Sequence, residues 1–232
     1  MNFCFPAPSQ PFVPIADRSD VFPVHRIYCV GRNYAEHARE MGASGREAPF
    51  FFCKPADAVV SKGSGPIVIR YPDRTADLQH EVELVVAIGA AGYRVPVEQA
   101  APMIWGYAVG IDLTRRDLQA DAKRQGRPWD ISKGFDRSAP IGSIRPASAT
   151  GSLGPQRIWL VVNGRRRQQG TLSQMIWSVE ETVSQLSEFF ELTAGDLIFT
   201  GTPAGVGALL PGDRVEAGID GFGGIDLEIA ER

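Results

Sequence analysis

The chain has 232 residues, 44% of them hydrophobic, with 24 Lys and Arg set against 27 Asp and Glu. That length and apolar content support one substantial core and exclude disorder for most of the chain, leaving one domain, or one domain with a small arm. A formal charge of −3 without a long basic tract gives nucleic-acid binding little support.

Residues 1–24 carry Pro6, Pro8, Pro11 and Pro14. They read as an extended arm, packed on the body or on a partner subunit, ahead of a domain over 25–232. A short apolar strand is predicted at 26–30. Gly31 then opens a turn, with Asn33 capping a helix over 34–41 that Gly42 stops. Residues 49–55 are an aromatic strand ending at Pro55, and 59–60 and 67–69 are short strands around the Gly63-Ser64-Gly65-Pro66 turn. Next come a strand at 79–89, a short helix at 97–103, a strand at 105–112, helical character over 114–123, and a loop at 124–137 carrying Trp129 and Lys133. A strand at 157–164 enters an Asn-Gly hairpin turn. Ile176, Val179, Val183, Leu186 and Phe190 recur at spacings of three and four, the buried stripe of a helix, and Ser178 to Glu181 fits a capping box. A strand at 196–200 leads into the Gly-rich loop 201–207, and turns at 211–213 and 220–221 separate the last short strands. Many short strands with few helices predict a mixed β (α+β), curled architecture and not a doubly wound sheet.

The pair Glu81 and Glu83 stands out. In a strand, residues i and i+2 share a face, so the two carboxylates project side by side. A solvated face is the commoner reason for such a pair, but here Val85 and Ala87 continue that face as apolar residues. Carboxylates this close raise each other's pKa and are costly near a core unless a cation sits between them. Asp112 ends a second apolar stretch and offers a third acidic oxygen. Three carboxylates without clustered Cys or His suit a hard ion, Mg²⁺ or Mn²⁺.

Other residues could act around such an ion. His37 and Glu40, three apart on a predicted helix, could form a hydrogen-bonded pair in which the carboxylate orients the imidazole as a base; the alternative is an exposed surface pair. Lys133 could stabilise an enolate or a carboxylate, against the plain alternative of a solvated lysine. Arg32, Arg115 and Arg116 could bind carboxylates, although the adjacent Arg115 and Arg116 cannot both face one way. Lys54 is a weaker candidate, His25 reads as structural, and His80 points away from Glu81, either backing the site's residues or packing in the core. The 201–207 loop lacks the endings of a phosphate or dinucleotide loop, but its glycines let backbone N–H groups approach an anion.

These residues also carry a family resemblance. The stretches 30–41, Lys54-Pro55, 80–83, 110–119, 132–135 and 201–207 resemble the fumarylacetoacetate hydrolase family in its short, acylpyruvase-type branch, from about residue 26 to the C-terminus. The resemblance implies a β-sandwich or β-roll, usually a homodimer, with Mg²⁺ or Mn²⁺ on Glu81, Glu83 and Asp112. It implies His37 and Glu40 as the water-activating dyad and Lys133 as the catalytic lysine. Arg116 and Gln119 align with positions on the substrate side, and Thr202 with a loop residue near the substrate carboxylate; Arg32 joins them as a candidate. Residues 49–57 and 104–107 are most similar to bacterial enzymes that hydrolyse fumarylpyruvate during aromatic-compound catabolism. The expected reaction is hydrolysis of a carbon–carbon bond in a small dianionic 2,4-dioxo acid. The alternatives are decarboxylation of oxaloacetate or enol–keto isomerisation at the same site, or a metal-binding module without catalysis.

Three scattered cysteines without Cys-x-x-Cys fit a reducing compartment. No apolar run reaches the roughly 18 residues of a membrane span, and the N-terminus lacks a signal-peptide pattern, so a cytoplasmic protein without a membrane partner is expected.

Overall fold

The computed structural model describes residues 3–36, 46–61 and 65–232. Strands β1 (Phe12–Pro14) and β2 (Val21–Pro23) form an antiparallel hairpin. Along the chain follow β3 (Ile27–Gly31), β4 (Phe50–Lys54), β5 (Val59–Ser61), β6 (Ile67–Arg70), β7 (Leu78–His80), β8 (Val82–Ile88), β9 (Ile104–Ile111) and β10 (Thr114–Arg115). After them come β11 (Ala139–Ile141), β12 (Arg145–Pro146), β13 (Arg157–Val162), β14 (Arg165–Thr171), β15 (Leu197–Phe199), β16 (Gly207–Leu209), β17 (Arg214–Ile219) and β18 (Gly223–Ala230). The α-helices among the described residues that extend beyond one residue pair are α1 (Val97–Ala100), α2 (Arg116–Gln125), α3 (Asp130–Lys133) and α4 (Val179–Ser187).

The largest sheet runs β4-β3-β15-β8-β9-β11-β5, with β12 paired to β9, and the second runs β14-β13-β17-β18-β6. Side-chain alternation along β8 explains how they stack. Val82, Leu84, Val86 and Ile88 enter the core shared with β13, β17, β18 and β6, while Val85 and Ala87 enter a second core against the N-terminal hairpin. Central β8 is therefore buried on both faces and reads as an almost unbroken apolar run. Part of the predicted arm belongs to that second core, since Val13, Ile15, Phe22 and Val24 are buried in it. A three-stranded sheet, β10-β7-β16, closes one end.

Several expectations change. The strand predicted at 79–89 breaks at Glu81, because β7 pairs with β10 and β16 while β8 pairs with β9 and β15. The predicted 124–137 loop contains the one-turn helix α3, so Lys133 is held on a helix. Helix α4 begins at the Ser178–Glu181 capping box as read, with Ser178 as its N-cap, but Ile176 precedes it and Phe190 follows it; the Phe190 ring packs 4.9 Å from that of Tyr28. Among the described residues the Asn33 side chain bridges two segments: its amide donates to Trp177 O (3.0 Å) and Thr200 O (2.8 Å) and accepts from Trp177 N (2.7 Å). Residues 37–45, with His37, Glu40 and the Gly42 stop, and half of the 63–66 turn, lie outside the described residues. No helix among the described residues is long and apolar enough to cross a membrane.

Candidate metal centre and active site

Strand register brings the acidic residues together. β8 and β9 pair Val82 with Ile111 and Glu83 with Gly110. One step further, Asp112 N donates to Glu81 O at 2.8 Å, which sets Asp112 opposite Glu81. All three carboxylates thus fall on the face that Val85 and Ala87 continue. Across from Glu83 stands Gly110, where an added Cβ would lie 2.6 Å from both Phe199 and Val85. Glu81, Glu83 and Asp112 are buried and offer one oxygen each within 4.8 Å of one another. An all-oxygen, all-carboxylate cluster of this size fits a hard divalent cation.

Cations surround the triad. Lys133 Nζ lies 2.9 Å from Glu81 Oε2 and 2.6 Å from Asp112 Oδ2. Arg116 donates to Glu81 Oε1, to Gln79 Oε1 (2.8 Å) and to Gln119 Oε1 (2.6 Å). The buried Lys54 donates to Leu113 O (3.2 Å) and to Lys133 O, and its Nζ sits 2.8 Å from Asp112 Oδ1. That contact is off the line of a hydrogen bond, so the buried Asp112 Oδ1 keeps a lone pair for another partner. With all groups ionised, three carboxylates meet three cations and the inner site is neutral before a divalent ion enters.

The environments set protonation. Burial, then the charges of Asp112 and Glu81, push the Glu83 carboxyl well above its ordinary range, against Lys133 and the Gly201 N–H, which donates to Glu83 Oε2 at 2.7 Å. A divalent cation held by the triad would supply the charge that lets Glu83 ionise. Burial lowers the Lys133 pKa, but Asp112 and Glu81 outweigh it and the net shift is upward, so Lys133 is a fixed cation and not a base.

The Gly-rich loop is tied to the break at Glu81 by Gln168 on β14. The buried Gln168 Oε1 accepts from Val82 N (3.1 Å) and lies 2.9 Å from His80 Nδ1, while its Nε2 donates to Thr202 Oγ1 and Pro203 O, both at 2.8 Å. An oxygen already accepting from a backbone N–H makes His80 Nδ1 the protonated nitrogen, and burial lowers the His80 pKa, which keeps the ring neutral. Thr202 donates its hydroxyl proton to Val82 O at 2.7 Å. Gly201 takes φ +96°, and a Cβ there would meet Asn33 Cβ at 2.8 Å, so glycine is required at the start of the loop.

Glu81 and Glu83 open into a small polar cleft. Arg32, Glu81, Glu83, Arg116, Gln119, Lys133 and Thr202 all line it. Sequence reasoning underrated Lys54 and missed Gln168 and Lys123. Gln168 has no local signal. Lys123 has one: Arg116, Gln119 and Lys123 are spaced i, i+3, i+7 on α2 and share a face. Two other candidates lie elsewhere. Arg115 donates to Ile131 O (3.1 Å) and stacks over Phe135, and His25 Nδ1 meets Asp196 Oδ1 at 2.8 Å, a structural contact.

Residues 26–230 match the profile of the fumarylacetoacetate (FAA) hydrolase C-terminal family. Among solved structures, a fumarylpyruvate hydrolase from Pseudomonas aeruginosa in complex with Mn²⁺ and pyruvate superposes with a TM-score of 0.97 at 52% identity, covering 100% of both chains. The oxaloacetate tautomerase YcgM of Escherichia coli is 42% identical over 201 residues, 86% of this chain and 90% of that protein. The mitochondrial oxaloacetate tautomerase FAHD1 of Rattus norvegicus is 43% identical over 195 residues, 84% of this chain and 87% of that protein.

Proposed function

Because the chain belongs to the fumarylacetoacetate hydrolase family, we propose that it is a divalent-metal-dependent hydrolase that cleaves the carbon–carbon bond of an acylpyruvate, with fumarylpyruvate as substrate and fumarate and pyruvate as products. The observation that carries this reading is the buried triad Glu81, Glu83 and Asp112 with the Lys133 ammonium between two of its members. When bound, Mg²⁺ or Mn²⁺ supplies Lewis-acid polarisation of the 2-oxo acid end. The chain supplies the rest.

His37, oriented by Glu40, takes a proton from water, and the hydroxide adds to the distal carbonyl. The bond between that carbon and the adjacent methylene breaks, its electron pair passes into the enolate of pyruvate, and the methylene carbon is then protonated. Lys133 holds a fixed positive charge where the enolate oxygen develops its negative charge. Arg116 engages the Gln119 carbonyl, which leaves the Gln119 amide hydrogens for a substrate oxygen. Thr202 contributes from its main chain, since its hydroxyl proton goes to Val82 O. Arg32 adds a cation at the mouth. The protein is proposed to act as a homodimer, for which the exposed Phe3, Phe5 and Phe12 offer apolar surface.

The similarity to oxaloacetate tautomerases favours a second reading, enol–keto isomerisation or decarboxylation of oxaloacetate through the same enolate. His37→Ala separates the two. Under the hydrolase reading it abolishes acylpyruvate cleavage. If oxaloacetate turnover is the only activity of the wild type and survives that substitution, the second reading replaces the first.

A further inference from the structure

The outer half of the cleft is built differently from the metal end. Phe50, Phe52 and Trp129 wall it, with Trp129 5.4 Å from Phe50 and 5.6 Å from Phe52, ring centre to ring centre. Lys123 Nζ stands 5.1 Å from the centre of the Trp129 ring. Arg32 lies over Phe50 at 5.7 Å, on a backbone with φ +61°, an unfavourable conformation for a side chain of this kind.

The cations of the two halves are employed differently. Lys54, Lys133 and Arg116 each contact a triad carboxylate. Lys123 makes no ion pair with any carboxylate among the described residues, and the charges acting on it are, largest first, those of Arg116, Arg32, the opposing Glu81, and Lys133. Like charges gathered at one mouth repel, and an anion arriving there relieves the repulsion. The charge balance points the same way. A neutral inner site plus a divalent ion carries two positive charges, of which a 2-oxo carboxylate cancels one.

Resting on the reading of the site as an acylpyruvate hydrolase, we propose that Lys123, backed by Arg32, recognises a second carboxylate at the far end of the substrate's acyl arm, so that the enzyme selects dianionic acylpyruvates over monoanionic ones. The flat aromatic walls between the triad and Lys123 suit a planar, conjugated arm that holds its two charged ends apart.

The test uses the purified full chain with Mg²⁺ and pyruvate present, and calorimetric titration with fumarate and with monomethyl fumarate. The wild type binds fumarate more tightly than its monoester. Lys123→Met weakens fumarate about tenfold or more, the worth of a charge-assisted hydrogen bond, and moves the monoester by less than about twofold. Lys123→Arg restores fumarate binding. In turnover, Lys123→Met raises KM for fumarylpyruvate and leaves acetylpyruvate unchanged. Equal losses for both ligands, no loss at all, or a wild type that binds fumarate no better than its monoester would overturn the assignment. A wild type that cleaves no acylpyruvate yet binds fumarate through Lys123 would remove the hydrolase reading and, with it, the selection among acylpyruvates, while keeping Lys123 as the carboxylate-binding residue of the cleft.

Discussion

At the residue scale, the site separates a fixed charge from a tunable one. Lys133 is clamped between Glu81 and Asp112, which hold its pKa up against burial. It therefore acts by position and charge. Lys133→Met is expected to lower kcat by about 10²–10³, the typical cost of losing one preorganised donor, while Mn²⁺ affinity is retained. Measured Mn²⁺ binding that collapses with the activity would assign Lys133 to holding the metal site instead. Lys123 is the tunable cation. Partial burial and the neighbouring Arg116 and Arg32 guanidiniums lower its pKa to about 8. A lowered lysine is charged below that value and neutral above it, so affinity for a dianion should fall as pH rises through about 8. A bound anion moves the midpoint upward. Lys123→Arg, which stays charged, should flatten this pH profile of KM.

At the element scale, the triad follows from one strand pair and one interruption. β8 and β9 place Glu83 and Asp112 on one face, and Gln168 holds the break that keeps Glu81 beside them. Gln168→Leu leaves the Val82 N–H and the His80 Nδ1–H buried without their acceptor, at about 1–3 kcal/mol for each. Urea unfolding should register at least roughly 2 kcal/mol of lost stability, with weaker Mn²⁺ binding beside it. Stability lost without any change in Mn²⁺ affinity would confine Gln168 to the fold.

The legibility of these elements follows their physics. The Glu81/Glu83 face was readable because Val85 and Ala87 carry the strand period into the core on the same side. Helix α4 was readable because its capping box and stripe are local. Gln168 left no trace, because it sits in the polar run Arg165-Arg166-Arg167-Gln168-Gln169 and gains its meaning only when the second sheet packs under the loop. The bridge that Asn33 makes between 177 and 200 left no trace for a related reason: its partners lie far along the chain. The α3 turn that presents Lys133 is one turn long, too short to show a period.

At the scale of the whole molecule, two packed cores leave the metal site at the end of the central sheet, within a largely buried acidic cluster. An ion that binds only the folded chain stabilises it by mass action, by about 2.7 kcal/mol at a hundred times its Kd. Chelation should therefore lower the melting temperature by roughly 5–10 °C, and added Mn²⁺ should restore it. A melting temperature indifferent to chelator would argue against an ion on the triad.

The most direct measurement follows fumarylpyruvate by its ultraviolet absorbance while products are identified by NMR, in matched samples with Mn²⁺, with chelator, and with Asp112→Asn. The account predicts fumarate and pyruvate in equal amounts with Mn²⁺, and no cleavage with chelator or with the variant. Cleavage that persists under chelation, or a panel of acylpyruvates left intact by a metal-loaded protein that consumes oxaloacetate, would contradict it.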